Sequence, residues 1–218
     1  MNKLRILLLS DEVDKALYDH FNKDMLEGID VIISCGDLPA SYLTFLATLF
    51  KGPVLYVPGN HDDRYVHKPP EGCICLDDRV CEYKGVRFAG FGGCLRYKPG
   101  PYQYTQKEMN KRVRKMWLKL HRSKGADVLV THAPAKGHHD GKGCHEGFDA
   151  FNYFITKYRP AWFFYGHQHL NYTASGARCD RLEDTQTVNA FGKYVVEVEI
   201  PDKKDEAAAS PNRSSNME

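Results

Sequence analysis

Val54-Leu55-Tyr56-Val57-Pro58-Gly59-Asn60-His61-Asp62 reads as a buried strand that runs straight into a site. The apolar, β-branched stretch stops at Pro58-Gly59, and an amide, an imidazole and a carboxylate follow. That is the layout of an α/β enzyme, whose chemistry sits just past the strand ends. The design recurs along the chain. Residues 4–9 run into Ser10-Asp11, 31–35 into Gly36-Asp37, 128–130 into Thr131-His132, and 162–165 into Gly166-His167-Gln168-His169. Asp, Asn and His are the donors that bind hard or borderline divalent metals.

The segments between these runs supply the α/β pattern. A helix is predicted over 14–25 with Leu17, Phe21 and Met25 on its inner face. A second, capped by Ser41, carries Leu43, Phe45, Leu46, Leu49 and Phe50. Strand, helix, strand, helix, strand implies a parallel sheet. Over 73–91 the pattern changes to short strands (73–76, 80–83, 86–91) with Asp77-Asp78 and Lys84-Gly85 as turns, which reads as a hairpin-rich second sheet. Cys73, Cys75 and Cys81 lack a zinc-ribbon spacing and read as core thiols.

Thr105 followed by Glu108 is a capping-box signature. The helix it opens has Met109, Val113, Met116, Trp117 and Leu120 as its buried stripe, with lysines and arginines covering the rest. These bases read as a solvated face rather than a nucleic-acid surface, because no aromatic side chains interleave with them. A Gly- and His-rich loop follows His132, then a helix over 148–158. Strands over 171–177, 185–190 and 194–200 finish the domain, assigned to 1–201, and the polar stretch over 202–218 is predicted to be a disordered tail.

Composition narrows the class. The 218 residues are 42% hydrophobic, enough for one substantial core. A net charge of +2 is too small to argue for a nucleic-acid or membrane partner. Seven irregularly spaced cysteines fit reduced thiols in the cytoplasm, and the N-terminal apolar run is too short for a signal peptide or a membrane span.

Gly36-Asp37, Gly59-Asn60-His61-Asp62, Thr131-His132 and Gly166-His167-Gln168-His169, in this order and each after an apolar strand, resemble the motifs of the calcineurin-like metallophosphoesterase superfamily. The loop holding His132-Ala133-Pro134, Asp140 and His145-Glu146-Gly147-Phe148 is similar to that of a compact bacterial branch. The resemblance implies an α/β fold built as a four-layer α/β/β/α sandwich, with two divalent metal ions (Mn, Fe, Zn or Co). It also implies hydrolysis of a phosphomonoester or phosphodiester by metal-activated water. Asp37 matches the bridging carboxylate; Asn60, His132 and His167 match further ligands of one metal, and Asp11 and His169 ligands of the other. His61 matches an imidazole that orients or protonates the leaving group, and Asp62 the carboxylate that orients it.

One departure stands out: where the superfamily has Asp-x-His, this chain has Asp11-Glu12-Val13. Valine cannot bind a metal. Three outcomes follow: a weaker first site completed by water, a substitute ligand such as Glu12 or Asp14, or a mononuclear centre. Asp14 also reads as a helix cap. His145, Arg64 and Arg96 are candidates for holding substrate, with plain surface exposure as the alternative. His20, His67 and His121 read as surface histidines. The expected protein is therefore a cytoplasmic metallophosphoesterase acting on a phosphoester. The alternatives are a phosphoesterase fold kept as a binding module, with Val13 weakening its metal site, and a nuclease using the basic helix with salt-dependent binding.

Overall fold

The computed structural model describes residues 2–170 and 177–200. Of the strand expected over 171–177, all but Ala177 lies outside the described residues, as does the expected tail over 202–218.

The chain opens with β1 (Asn2–Ser10), α1 (Lys15–Tyr18), β2 (Val31–Ser34), α2 (Ala40–Leu49) and β3 (Val54–Tyr56). It continues through β4 (Ile74–Cys75), β5 (Arg79–Tyr83), β6 (Val86–Phe91), β7 (Cys94–Leu95) and β8 (Gln103–Tyr104). Next come α3 (Gln106–Lys115), α4 (Trp117–Arg122), β9 (Val128–Thr131), α5 (Asp149–Tyr158) and β10 (Trp162–Tyr165). The strands β11 (Cys179–Leu182), β12 (Thr185–Asn189) and β13 (Gly192–Ile200) close the described chain.

Two mixed sheets result, ordered β13-β1-β2-β3-β4 and β11-β12-β10-β9-β6-β5. Their central pairings, β1 with β2, β2 with β3, β6 with β9 and β9 with β10, are all parallel. Strand alternation sorts the apolar side chains into three cores. Leu4, Ile6 and Leu8 of β1 face Phe88, Val128, Val130 and Phe164 of the other sheet. Leu7 and Leu9 face the opposite way, towards Leu17, Leu43 and Leu46 of the helices. On the far side, Phe91, Leu129 and Phe163 meet Met109, Val113, Phe151 and Phe154. Three cores between four layers is the α/β/β/α sandwich.

Several local expectations are corrected. The helix over 14–25 stops at Tyr18. The Asn22 side chain accepts the Asp24 N–H and starts a separate 3-10 turn, Lys23–Leu26, so Leu26 is buried while Met25 is 43% exposed. Helix α2 begins after Pro39, so Ser41 sits in its first turn and does not cap it, and Tyr42 joins its buried face.

β4 belongs to the first sheet, parallel to β3, so the hairpin reading holds for β5 and β6 alone. The chain leaves that sheet at Asp77, whose carboxylate takes the Gly92 N–H at 2.5 Å and pairs with Arg112 at 2.5 Å. All seven cysteines are free thiols; Cys73 and Cys75 pack on the first helical core and Cys81 on the core between the sheets.

Thr105 and Glu108 form the expected capping box. The predicted stripe holds for Met109, Val113, Met116 and Leu120 but fails at Trp117. The helix interrupts at Met116, and Trp117 opens α4, 57% exposed, beside Lys107, Lys111, Arg114 and Lys115. An aromatic ring thus does stand among the bases. Among the described residues no helix is long and apolar enough to cross a membrane.

Candidate metal centre

Parallel neighbours end on the same side of a sheet, so the loops after β1, β2 and β3 meet those after β9 and β10 at one edge of the sandwich. One ligand atom each from Asp11, Asp37, His132 and His167 lies within 4.8 Å of the others. These residues come from both sheets.

The loops are bound to one another through their backbones. Asp11 N–H donates to Gly36 O at 3.1 Å, and Gly166 N–H to His132 O at 2.9 Å. The Asp11 carboxylate accepts the His167 N–H at 3.0 Å across 156 positions of sequence. Gly36 has φ +99°, and a Cβ there would meet Gly59 N at 2.6 Å. A Cβ on Gly59 would in turn meet the Asp37 carboxylate. Neither position has room for a side chain. Asp11, Asp37 and His167 themselves take left-handed backbone, with φ of 66°, 58° and 64°. That conformation costs about 1–3 kcal/mol for a residue with a Cβ, and its concentration here marks a site held in shape by its surroundings.

Each imidazole is oriented by a carbonyl. His132 Nδ1 donates to Cys35 O at 2.7 Å, which aims Nε2 at Asn60 Oδ1 (2.9 Å) and Asp37 Oδ2 (3.4 Å). His167 Nε2 donates to Cys144 O at 2.8 Å, leaving Nδ1 with the lone pair. Burial, reinforced by His132, pushes His167 down to about 3, so it is neutral. Burial also works against the charged form of His132, but Asp37 and then Asp11 outweigh it and push that imidazole up to about 9. Asp37 is held well below the usual carboxylate range, because the His132 charge and the His61 N–H overcome its burial. Burial raises Asp11. Two enclosed carboxylates, an amide oxygen and two imidazoles form a mixed oxygen and nitrogen donor set, which a divalent cation fits.

The remaining predicted residues divide. His169 stands 3.8 Å from Asp11 and packs on Phe191, at the rim of the cluster. His61 is exposed, donates its backbone N–H to Asp37 Oδ1 at 2.8 Å, and lines a groove of about 1040 Å³ with Asp37, Asp62 and Arg64. The Asp62 carboxylate joins two of the loops. Its Oδ2 accepts the N–H of Asp37 at 2.8 Å and of Gly59 at 2.7 Å, and burial pushes the carboxyl up to about 7 despite those two bonds.

Asp14 is not in the cluster; it caps α1 through the Leu17 N–H at 2.9 Å and pairs with Lys193 at 2.9 Å. Val13 packs into the first helical core. His145 stacks on His167 at 4.7 Å between ring centroids. Arg96 is taken by Glu108, with Nη2 at 2.9 and 2.8 Å from its two oxygens, and so buttresses the cap of α3.

Sequence reasoning missed Tyr97, whose hydroxyl accepts from Asn60 Nδ2 at 3.4 Å, and Gln168, which donates to His145 O at 2.7 Å. It also missed the Cys144 carbonyl. A tyrosine in a loop and a main-chain oxygen carry no sequence signal; Gln168 stood in plain view between two histidines.

Among solved structures, TT1561 of Thermus thermophilus has a TM-score of 0.59 at 17% identity, covering 86% of this chain and 89% of that one. GAP50, the anchor in the inner membrane complex of Plasmodium, has a TM-score of 0.53 at 13% identity, covering 88% and 72%. At such identities the likeness is one of fold. None of the curated proteins matches. The calcineurin-like phosphoesterase profile matches residues 5–171, a span that contains every strand end just described, and the chain belongs to that family.

Proposed function

We propose that the chain is a metal-dependent phosphoesterase that hydrolyses a phosphomonoester or phosphodiester, working in a reducing compartment such as the cytoplasm. The observation that carries this reading is the convergence of Asp11, Asp37, His132 and His167 within 4.8 Å at the edge shared by both sheets. Asp37, Asn60, His132 and His167 would hold one cation, and Asp11, Asp37 and His169 a second, weaker one. When bound, divalent ions such as Mn, Fe, Zn or Co supply the Lewis acidity that neutralises phosphoryl charge and activates water.

The chain's own groups do the rest. His61 stands exposed in the groove beside Asp37, where its imidazole can give a proton to a departing oxygen. Arg64 lines the same groove and offers a fork for a phosphate. His145 and the Cys144 carbonyl hold the His167 ring in place.

The test is hydrolysis of bis-p-nitrophenyl phosphate and p-nitrophenyl phosphate by metal-stripped protein as manganese is restored, with bound metal counted. Turnover should rise with bound metal and vanish in Asp37→Asn; normal turnover in that variant overturns the reading. A second reading, a binding module on the same fold, rests on Val13, which removes one imidazole from the first site, and on the fold's occurrence in GAP50, an anchor. Metal bound without cleavage of either ester under any divalent ion would favour it.

A further inference from the structure

We propose that His138, His139 and Asp180 form a binding site for a zinc-type divalent cation, separate from the candidate catalytic centre. Among the described residues, this is the other group of His and acidic side chains whose ligand atoms lie within 4.8 Å of one another, and it shares no residue with the first.

The placement runs against what the chain would do by default. Consecutive side chains of an extended segment point to opposite sides. His139 instead takes left-handed backbone, φ 53°, and the two neighbouring rings come together with centroids 4.5 Å apart. Asp180 reaches them from β11, the edge strand of the second sheet, and its Oδ2 lies 2.6 Å from His139 Nε2. Three donors from two distant segments therefore converge.

The surroundings are those of a ligand site. His138 is 8% exposed, and its Nε2 is bonded to Thr187 Oγ1 of β12 at 2.9 Å, which fixes the ring's rotation as an outer partner does for a metal-binding histidine. His139 and Asp180 are more open, so a hydrated ion has a way in. Cys179 alternates to the other side of β11, where its thiol meets the Tyr194 hydroxyl at 3.4 Å, and Asp140 accepts the Gly147 N–H. The protein thus offers two imidazoles and one carboxylate, leaving a position for water. Two nitrogens and one oxygen select zinc, cobalt or nickel over calcium and magnesium, which prefer oxygen throughout.

Occupancy would tie the loop after His132 to the sheet edge. That loop also supplies the Cys144 carbonyl and the His145 ring that hold His167, so the cation would steady the wall of the catalytic centre from outside it.

The test titrates zinc into full-length, metal-stripped protein carrying Asp37→Asn and His167→Asn, against a chromophoric chelator, with bound metal counted and the histidine ring nitrogens followed by NMR. One zinc ion is expected to bind and to move the His138 and His139 resonances. Adding Asp180→Ala, at an exposed position, or His139→Ala, at a half-buried one, should weaken binding at least 10-fold. The proposal is overturned if those resonances do not move at one equivalent of zinc, or if neither added substitution changes the affinity.

Discussion

Asp62 Oδ2 accepts the backbone N–H of Asp37 at 2.8 Å, and the same oxygen takes the N–H of Gly59, so one carboxylate laces the loop after β2 to the loop after β3. Asp62→Ala would leave two enclosed N–H groups without a partner. It should cost about 2–4 kcal/mol in chemical denaturation and lower metal affinity about 10- to 100-fold. Asp62→Asn keeps an acceptor oxygen and should retain most of both. Equal losses in the two variants would show that the lacing is not what matters.

His61 lines the groove, and its backbone N–H donates to Asp37 Oδ1. His61→Ala should lower turnover about 10²–10⁴-fold with metal content unchanged, as expected for loss of a proton donor. A protein that loses metal along with turnover would make His61 a ligand instead.

Val13 packs against the core beneath α1 and α2, at the place where the family carries an imidazole. Val13→His should tighten binding of a second ion, read by metal titration, and should cost about 1–3 kcal/mol of stability from crowding that core. Unchanged affinity would mean that the first site already has its full set of donors.

Away from the centre, Asp127 accepts Arg87 Nε at 2.7 Å and the Arg87 N–H at 2.9 Å, with both side chains about nine-tenths buried. Asp127→Ala strands a buried guanidinium and should cost about 3–5 kcal/mol in denaturant titration. Replacing both partners, Arg87→Met with Asp127→Leu, should recover most of that loss.

The Arg5 N–H at 2.9 Å and then the Lys84 ammonium at 2.5 Å hold Asp30 below the usual carboxylate range. A lowered folded-state value means the unfolded chain takes up the proton first. The stabilisation is therefore complete above pH of about 4 and is lost as pH falls through the folded-state value. With Lys84 half exposed, the effect should stay below about 1 kcal/mol, and Asp30→Asn should flatten the stability curve in that acidic window.

What could be read from sequence was what local chemistry writes locally. Runs such as 54–57 announced buried strands, donors at their ends announced a site, and Thr105 with Glu108 announced a helix. What stayed hidden depends on distant partners or on one residue's competing bond. Asn22 recaptures the chain and turns Met25 outward. An interruption at Met116 swings Trp117 into solvent. β11 exposes Cys179, Asp180 and Arg181 at a sheet edge and so has no apolar alternation to betray it. The N–H groups that Asp62 accepts, and the Cys35 and Cys144 carbonyls that orient His132 and His167, are main-chain groups, and no residue type advertises them.

The bond between Asp11 and His167 also sets a clock. The two residues are 156 positions apart, and β1 itself is paired along its whole length with β13, the last described strand. Assembly dominated by such long-range contacts is slow, since the loop must close before any contact rewards it. At about 5–20 residues per second, the ribosome releases Asp11 on the order of 10 s before it delivers its partner. A nascent or truncated chain that stops short of β10 therefore holds Asp11, Asp37, Asn60 and His132 but lacks His167. The candidate metal centre, by this geometry, stays open in every product of synthesis that ends before His167.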